Sequence, residues 1–542
     1  MPKSSPLDAT PRNGWVACCA TSSPRSRTGS RVLTFGTAGL RGPVQEGPDG
    51  MNVETVTRAT AGLAAWLAEQ GLAGEPVVVG RDARHGSEAF AAATAEVFAA
   101  AGFDVIALPQ PGPTPLVSFA TRHLRAAAGV MITASHNPSQ DNGYKVYLRD
   151  AGGAQLVSPA DREIEAAITA IGPAATVARQ PVTSDARAAT VRDDYLDALT
   201  ERFSALPRSP LRIVVTAMHG VGGDLVVEAL RRNGFPDVHP VASQFAPDPD
   251  FPTVAFPNPE EPGATDLLLS LAAEVDADLA IALDPDADRC AVGARDGDTW
   301  RMLTGDETGV LLGTWVLDHR PAGGPPPVVA SSIVSGTLLH TAAQRRGADA
   351  RRTLTGFKWL VRAGEPLAYA YEEALGHCVD PDNVRDKDGV SAAVATAILA
   401  SSWADRGGLI AALTALEDEN GIHLTQPRSL RLQDPADIAA LMDQLRAAPP
   451  NTLAGIPVSM TDYAARTDNL RTDGVELLGR RDDGVALRIF ARPSGTEPKL
   501  KYYGQISAPP GTGTVGLTRE SATRQTLSEL LAAAMAELPP VQ

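Results

Sequence analysis

The sequence predicts an α/β protein with three similar α/β domains, each built on a mixed sheet, and a C-terminal α+β domain, all arranged around a central cleft. Short apolar runs alternate with amphipathic segments, and this alternation restarts twice along the chain. The length of 542 residues also favours several domains, because one hydrophobic core rarely grows beyond about 250 to 300 residues. A composition of 44% hydrophobic and 21% charged residues is typical of globular proteins.

The chain opens with a segment of different composition. Residues 1–30 are rich in Pro, Ser, Thr and Arg without periodicity, and we interpret them as a mobile leader. The first domain, 31–205, then begins its alternation with amphipathic VETVTRATAGLAAWLAEQ, the strand PVVVG and the helix SEAFAAATAEVFAAAG, followed by the strands DVIAL and AAGVMITAS. Strands separated by helices indicate a parallel or mixed sheet that is covered on both faces.

The same plan returns in the next two domains. The second, 206–318, contains the strands LRIVVTA and ADLAIALD and the helices GGDLVVEALRRNG and TDLLLSLAAEV. The third, 319–430, contains the strands PVVASSIV and PLAYAY and the helices TLLHTAAQRRG and VSAAVATAILASSWAD. The fourth, 431–542, differs, because the strands VELLGR, VALRIFA and LKYYGQI lie between the helices PADIAALMDQLRAAP and RQTLSELLAAAMAEL.

Charge and cysteine content exclude several classes of function. A net charge of −16 argues against a nucleic-acid partner, because such a chain repels phosphate backbones. No apolar stretch is long enough to predict a membrane span or a signal peptide. Cys18 and Cys19 are adjacent while Cys290 and Cys378 stand alone, so the sequence predicts no disulfide framework. We therefore expect a cytoplasmic protein.

Polar loops follow a strand in each of the first three domains, with the sequences TASHNP, DPDADRC and YEEALGH. Ligands of open α/β sheets gather beyond the carboxyl ends of strands, so one site assembled from three domains is expected. In the first loop Ser135 lies beside His136, with Lys145 shortly after, and these are the parts of an activated nucleophile. A Ser/Asn turn that closes a strand is the alternative.

The second loop contains Asp284, Asp286 and Asp288 after an apolar strand. Like charges about 4 Å apart repel by roughly 4 kcal/mol per pair at an effective dielectric near 20, so a cation must balance them. Carboxylate ligands of this kind suit Mg²⁺. Arg289, which follows at once, favours a phosphate held between metal and guanidinium over a solvated acidic turn.

Two further loops suit a phosphorylated sugar. The fourth-domain sequence RPSGTEPK, 492–499, combines cations and hydroxyls around a glycine, which favours a phosphate cradle over an ordinary turn. The third-domain sequence EEALGH, 372–377, offers paired carboxylates that can accept hydrogen bonds from sugar hydroxyls, although surface acidic pairs are common.

This combination resembles the α-D-phosphohexomutase superfamily, and within it the phosphoglucomutase/phosphomannomutase branch that includes phosphopentomutase-like members. The motifs that carry the resemblance extend over residues 34 to about 505, and they are TFGTAGLRG, TASHNP with NGYKVY, PNPEEPGA, DPDADRC, TGFKW, VRDKDG and RPSGTEPKLKYY. One departure is Ala374, where the family's sugar loop usually has serine.

The resemblance implies an intramolecular phosphotransferase and assigns roles to residues of this chain. Ser135 would be a phosphoserine steadied by Arg41, and His136 and Lys145 would assist proton transfer. The metal site would be formed by Ser135, Asp284, Asp286 and Asp288, with one Mg²⁺ per subunit and a sugar bisphosphate as activator. Substrate contacts are expected along the cleft, from Arg289, Thr355, Gly356, Lys358, Glu372, His377, Lys387, Arg492, Ser494, Gly495, Thr496 and Lys499.

Several functions stay open at this point. The leading one interconverts glucose 1-phosphate and glucose 6-phosphate, with mannose or pentose phosphates as alternatives. A Mg²⁺-dependent sugar phosphatase is a reading from a different class, but it does not need the second phosphate cradle of RPSGTEPK. A catalytically dead sensor would lack Ser135 or the aspartates, which are all present. The expected partner is a small sugar phosphate, with neither nucleic acid nor membrane, and the sequence leaves monomer and dimer open.

Overall fold

The computed structural model describes residues 33–35, 39–320, 323–432, 435–494, 499–511 and 517–538. The leader predicted for residues 1–30 lies outside this range. Within it, the strands form four sheets, and the first three are mixed while the fourth is antiparallel. Three α/β units and a different fourth unit confirm the predicted fold class. No helix in the described ranges has the length and apolar character that crossing a bilayer requires.

The first sheet has the order β1-β5-β4-β2-β3, with β6 paired to β5. Strands β2, β3 and β4 are parallel to one another. Strand β5 is antiparallel to both β4 and β1. Asn52 begins the first helix by accepting a hydrogen bond from the Thr55 N–H. The elements of this unit are β1 (Leu40–Pro43), α1 (Val53–Glu69), β2 (Pro76–Arg81), α2 (Ser87–Ala100), β3 (Asp104–Ala107), α3 (Thr114–His123), β4 (Ala128–Ile132), β5 (Asp141–Leu148), β6 (Ala154–Gln155), α4 (Ala160–Ala170) and α5 (Ala186–Phe203).

The second sheet has the order β11-β10-β9-β7-β8, in which β7, β8 and β9 are parallel. Strands β7 and β9 are buried along their whole length, which explains why they are continuous apolar runs in the sequence. The elements are β7 (Ile213–Thr216), α6 (Gly223–Arg232), β8 (Val238–Pro240), α7 (Asp266–Glu274), β9 (Leu279–Leu283), β10 (Cys290–Asp296) and β11 (Thr299–Met302).

The third sheet has the order β13-β12-β14-β15, with only β15 antiparallel. Its first helix, α8, is opened by a capping box between Thr304 and Glu307. The elements are α8 (Gly305–Asp318), β12 (Val328–Ser332), α9 (Leu338–Arg345), β13 (Asp349–Thr353), α10 (Phe357–Leu360), β14 (Leu367–Glu372), β15 (Gly376–Cys378), α11 (Gly389–Trp403) and α12 (Gly408–Asn420).

Helix α8 packs against β14 and α9 of the third sheet. The sequence-based division at residue 318 placed this helix at the end of the second domain, although the Thr-x-x-Glu pattern of Thr304 and Glu307 marks its start. We therefore propose that the third domain begins near Thr304.

The fourth sheet has the order β16-β21-β20-β19-β18-β17 and is antiparallel throughout. Its first strand ends at Arg431, so it lies almost entirely in the segment that the sequence division gave to the third domain. The elements are β16 (Ile422–Arg431), α13 (Pro435–Ala447), β17 (Thr452–Leu453), β18 (Ile456–Asp462), β19 (Val475–Arg480), β20 (Ala486–Pro493), β21 (Lys499–Ala508) and α14 (Leu517–Ala536).

Two glycines let α8 lie close to the third sheet. A Cβ atom on Gly309 would stand 2.3 Å from the Tyr371 ring, and one on Gly313 would stand 2.6 Å from the Leu339 side chain. Tyr371 and Leu339 are buried. The absence of side chains at these glycines therefore sets the distance between helix and sheet.

We expect Gly309→Ala to destabilise the protein by about 1–3 kcal/mol, because the added methyl group overpacks a buried contact with Tyr371. Thermal unfolding followed by circular dichroism measures the effect. Gly172→Ala is the matched control, since its Cβ would have no neighbour closer than 3.4 Å. Equal unfolding midpoints for the two variants would contradict the packing argument.

Candidate active site

The serine loop (residues 133–138) follows β4, a strand that is fully buried. Ser135 has φ +57, and its N–H donates to Thr133 Oγ1 at 2.8 Å, which holds this left-handed conformation. The Ser135 hydroxyl donates to Asp284 Oδ2 at 3.1 Å and lies 3.2 Å from His136 Nδ1. The structure thus brings the nucleophile candidate of the first domain to the acidic loop of the second.

The acidic loop (residues 284–289) follows β9. Asp284, Asp286 and Asp288 are each 0% exposed, and ligand oxygens from the three carboxylates lie within 4.8 Å of one another. Asp286 Oδ1 and Asp288 Oδ1 are buried without a hydrogen-bond partner. Buried carboxylate oxygens left unpaired are unfavourable, so these atoms suit a hard cation such as Mg²⁺.

Cations of the chain itself also balance the acidic loop. Lys145 Nζ, on β5, lies 2.7 Å from Asp286 Oδ2 and 2.9 Å from Asp288 Oδ2. Lys387 Nζ lies 3.2 Å from Asp288 Oδ2. The sequence argument treated the three aspartates as charges that need an outside cation, and it missed that two lysines from other domains supply part of the balance.

The charges set different pKa directions within the loop. Burial and then the two neighbouring aspartates raise the pKa of Asp284 well above its usual value. Burial also opposes ionisation of Asp288, but Lys145 and Lys387 outweigh it and lower the pKa of Asp288. Burial lowers the pKa of Lys145, yet Asp286 and Asp288 raise it more, so this lysine is a cation here.

Two further residues lie at the serine loop, Arg41 beside it and His136 within it. Arg41, on β1, donates from Nη1 to Asn137 Oδ1 at 3.3 Å, which brings its guanidinium to the loop that carries Ser135. Burial, followed by the charges of Arg289 and Arg41, lowers the pKa of His136 well below its usual value. The His136 imidazole is therefore neutral.

Arg289 has a partner that sequence reasoning did not assign. Glu260 Oε2 lies 3.4 Å from Arg289 Nη1, while Arg289 Nε lies 3.9 Å from Asp284 Oδ2. Glu260 belongs to PNPEEPGA, which was noted only as a family motif. The sequence signal for a role of Glu260 was its place in a family motif that precedes the acidic loop in the same domain.

The third-domain loop separates its two glutamates. Glu372 is half-buried, and burial raises its pKa while nearby Lys387 opposes this rise. Glu373 instead accepts hydrogen bonds from Ser332 at 2.9 Å and Ser335 at 2.8 Å. Both serines donate to the same oxygen, Oε2, so they hold the Glu373 carboxylate in place from one side.

His377, expected to contact substrate, does not reach the cleft. The residue is 0% exposed, and its Nδ1 lies 3.0 Å from the Tyr369 hydroxyl. Burial lowers its pKa to about 3. All three residues of β15 are buried, so His377 packs inside the third domain.

The fourth-domain loop touches the third domain. Arg492 Nη1 donates to Thr355 Oγ1 of the third domain. Within the loop, the Ser494 N–H donates to the Lys499 carbonyl at 2.8 Å. Gly495 and Thr496, predicted to complete the phosphate cradle, lie outside the described residues. Arg492 and Thr355 were predicted separately as substrate contacts, and the structure brings their side chains together.

The remaining predicted substrate contacts lie beside Thr355. Gly356 has φ +107, a conformation that favours glycine, and begins the short helix α10. Lys358 is half-buried, with Nζ 5.9 Å from the centre of the Trp359 ring, and burial lowers its pKa to about 8. No contact joins Lys358 to the acidic loop among the described residues.

Comparison with protein families gives matches over three consecutive segments. Residues 32–174, 193–297 and 304–417 match domains I, II and III of phosphoglucomutase/phosphomannomutase, each described as an alpha/beta/alpha domain.

Curated relatives cover most of the chain. A protein named "Probable phosphomannomutase" from Haemophilus influenzae is 41% identical over 461 residues, 84% of this chain and 92% of the relative. Human phosphopentomutase is 35% identical, covering 88% and 86%, and a Staphylococcus haemolyticus phosphoglucomutase is 34% identical, covering 88% and 90%.

Solved structures share the fold. Parafusin, a phosphoglucomutase from Paramecium, superposes with a TM-score of 0.67 at 17% identity, covering 94% of this chain and 97% of that one. A Burkholderia thailandensis protein of the phosphoglucomutase/phosphomannomutase family also gives 0.67, at 20% identity, with coverages of 94% and 98%.

Fold and relatives together define an isomerase of the mutase class. The chain belongs to the phosphoglucomutase/phosphomannomutase family.

We expect Lys387→Met to destabilise the metal-free protein by about 1–3 kcal/mol, because Asp288 loses one of its two lysine partners while staying buried. Added Mg²⁺ should then raise the unfolding midpoint of the variant more than that of the wild type. Differential scanning fluorimetry in EDTA and in Mg²⁺ measures both. Lys358→Met, which removes a half-buried lysine away from the acidic loop, should show the wild-type response, and an equal response in Lys387→Met would contradict the charge-balance argument.

Proposed function

We propose that this protein is an intramolecular phosphotransferase that interconverts a sugar 1-phosphate and a sugar 6-phosphate, with glucose phosphate as its main substrate. The observation that carries the proposal is the 3.1 Å contact between the Ser135 hydroxyl and Asp284, at the edge of a buried carboxylate cluster. In this proposal Ser135 carries the phosphoryl group and donates it to the sugar, and a sugar bisphosphate is the intermediate and activator.

Asp284, Asp286 and Asp288 would hold one Mg²⁺ together with a phosphoserine oxygen, and the unpartnered oxygens of Asp286 and Asp288 fit that role. When bound, the ion neutralises charge on the phosphoryl group, which is the main requirement of phosphoryl transfer. Arg41 and Arg289 lie beside the same loops and would supply positive charge from the protein side.

Proton transfer is assigned to His136 and Lys145. His136 Nδ1 lies 3.2 Å from Ser135 Oγ, within reach of a proton that moves to or from this hydroxyl. Lys145 is held as a cation by the carboxylates of Asp286 and Asp288, so its part is to donate a proton, or to stabilise the developing negative charge on the sugar oxygen.

The second phosphate of the intermediate would lie at the fourth-domain loop. Arg492, Ser494 and Lys499 would bind it, together with Gly495 and Thr496. Glu372 and Lys387 would face the sugar, with Thr355, Gly356 and Lys358 between the sugar and the phosphate. A separate site for a non-transferring phosphate favours a mutase over a Mg²⁺-dependent sugar phosphatase.

Sugar choice is the least constrained part of the proposal. Relatives of similar identity are named phosphomannomutase, phosphopentomutase and phosphoglucomutase, so mannose and pentose phosphates remain alternatives. Ala374 lacks the hydroxyl of the family's usual serine, so Glu372 would read the sugar hydroxyls without that additional hydrogen-bonding group. The buried free thiols of Cys290 and Cys378 suit the cytoplasm, where we place the enzyme.

The test is a coupled assay with glucose, mannose, ribose and deoxyribose 1-phosphates, each with a trace of its bisphosphate. We expect glucose 1-phosphate to be turned over fastest by the wild type and no substrate to be turned over by Ser135→Ala. Intact-mass spectrometry should show a phosphorylated fraction that Ser135→Ala lacks. Ser139→Ala, in a half-buried residue of the same connection, is the control and should match the wild type. Wild-type turnover by Ser135→Ala would refute the nucleophile.

Arg492→Ala should lower kcat/KM roughly 10- to 150-fold, because a charge-assisted hydrogen bond to phosphate contributes about 1.5–3 kcal/mol. Both KM and kcat should change, since the intermediate presents each of its phosphates in turn. Steady-state kinetics measures this, with Arg481→Ala, an exposed arginine paired to Asp483 in the same domain, as control. An unchanged kcat/KM for Arg492→Ala would remove the fourth domain from the site.

A further inference from the structure

Arg84 is a buried arginine outside the set of residues discussed so far. It is 4% exposed and follows β2 in the first domain. It makes no contact with Asp284, Asp286 or Asp288 within ion-pair distance among the described residues. Its guanidinium instead faces the backbone of the connection between β4 and β5, which contains Ser135.

The guanidinium donates to four main-chain carbonyls of that connection. Nη2 donates to Ser135 O and Asn137 O, each at 2.6 Å. Nη1 donates to Pro138 O at 2.7 Å and to Asp141 O at 3.2 Å. One side chain therefore binds the backbone at Ser135 and at three residues that follow it.

Arg84 is itself held in place from two sides. Asp82 Oδ2 lies 3.4 Å from Arg84 Nε, and Asp82 Oδ1 accepts from the Arg84 N–H at 3.0 Å and from Ser87 Oγ at 2.5 Å. The Phe251 ring, from the second domain, lies 4.9 Å from the guanidinium carbon and is 3% exposed. A cation stacked on a ring and shielded from water is well fixed in orientation.

We propose that Arg84 is a positioning residue that sets the conformation of the serine loop and thereby the direction of the Ser135 hydroxyl. Ser135 adopts a left-handed conformation that is unfavourable for a residue other than glycine, so surrounding contacts must impose it. The Thr133 hydroxyl fixes the Ser135 N–H, and Arg84 fixes its carbonyl on the other side. Only a planar fork with several N–H groups can serve four carbonyls, and lysine cannot.

This inference rests on the proposed role of Ser135 as nucleophile. A displacement of about 1 Å at a reacting atom can cost about 10²-fold in rate even when substrate still binds. Loss of Arg84 should therefore lower kcat while KM for the sugar phosphate changes little. A residue with a merely structural role would lower the amount of folded protein without this split.

The experiment compares Arg84→Met, Arg84→Lys and Arg58→Met in the full chain, with glucose 1-phosphate and a trace of glucose bisphosphate. Arg58 is the matched control, since it also donates to two main-chain carbonyls of the first domain, Ile168 and Ile171. The thermal midpoint of each variant is measured beside its kinetics. Kinetics are read well below the lowest midpoint, so that only folded protein is compared.

We expect kcat to fall about 10²-fold in Arg84→Met and by a smaller factor in Arg84→Lys, with KM within about threefold of the wild type. Arg58→Met should keep the wild-type kcat. Arg84→Lys retains a cation in the same place, so it decides the matter if Arg84→Met does not fold. A wild-type kcat in folded Arg84→Lys and Arg84→Met, or a rise in KM with kcat kept, would overturn the positioning role.

Ser135→Ala, assayed in parallel, separates this inference from the proposed function. If Ser135→Ala is inactive while the Arg84 variants keep full kcat, the positioning role alone is wrong. If Ser135→Ala keeps full turnover, the nucleophile is wrong, and the positioning role falls with it.

Discussion

The burial of three carboxylates in one loop is the constraint on which the rest of the site depends. Asp284, Asp286 and Asp288 are fully buried, and buried charge is unfavourable unless it is paired. The pairing cations come from different parts of the chain, with Lys145 in the first domain, Lys387 in the third, and Arg289 next to the aspartates themselves. The acidic loop therefore requires that three domains meet, and it cannot be completed within one of them.

Backbone contacts fix the same meeting point. The Thr114 N–H of the first domain donates to the Asp286 carbonyl at 2.9 Å, and the Gly389 N–H of the third donates to the Ala287 carbonyl at 3.1 Å. A Cβ on Gly389 would lie 2.4 Å from the Arg289 carbonyl, so only glycine permits this approach. These contacts bring the strand ends of three sheets together, and Arg492 of the fourth domain contacts Thr355 of the third.

Much of the fold could be predicted because buried parallel strands are continuous apolar runs, as in β4, β7, β9 and β12. Strand β16 was missed, because its half-buried, polar sequence lacks that signal. Loop chemistry predicted one site from Ser135 and the aspartates, and the structure brings Ser135 and Asp284 into contact, but the loop pattern could not show that His377 is buried. Arg84 and Glu260 act through contacts distant in sequence, which no local pattern reveals.

The proposed phosphoryl transfer requires a metal ion at the junction of the serine and acidic loops. Anomalous diffraction from crystals of this protein grown with Mn²⁺, which accepts the same oxygen ligands as Mg²⁺, would locate that ion directly. We expect an anomalous peak between Asp284, Asp286 and Asp288, within ligand distance of an oxygen on Ser135. Manganese bound elsewhere, with these carboxylates bonded only to Lys145 and Lys387, would contradict it.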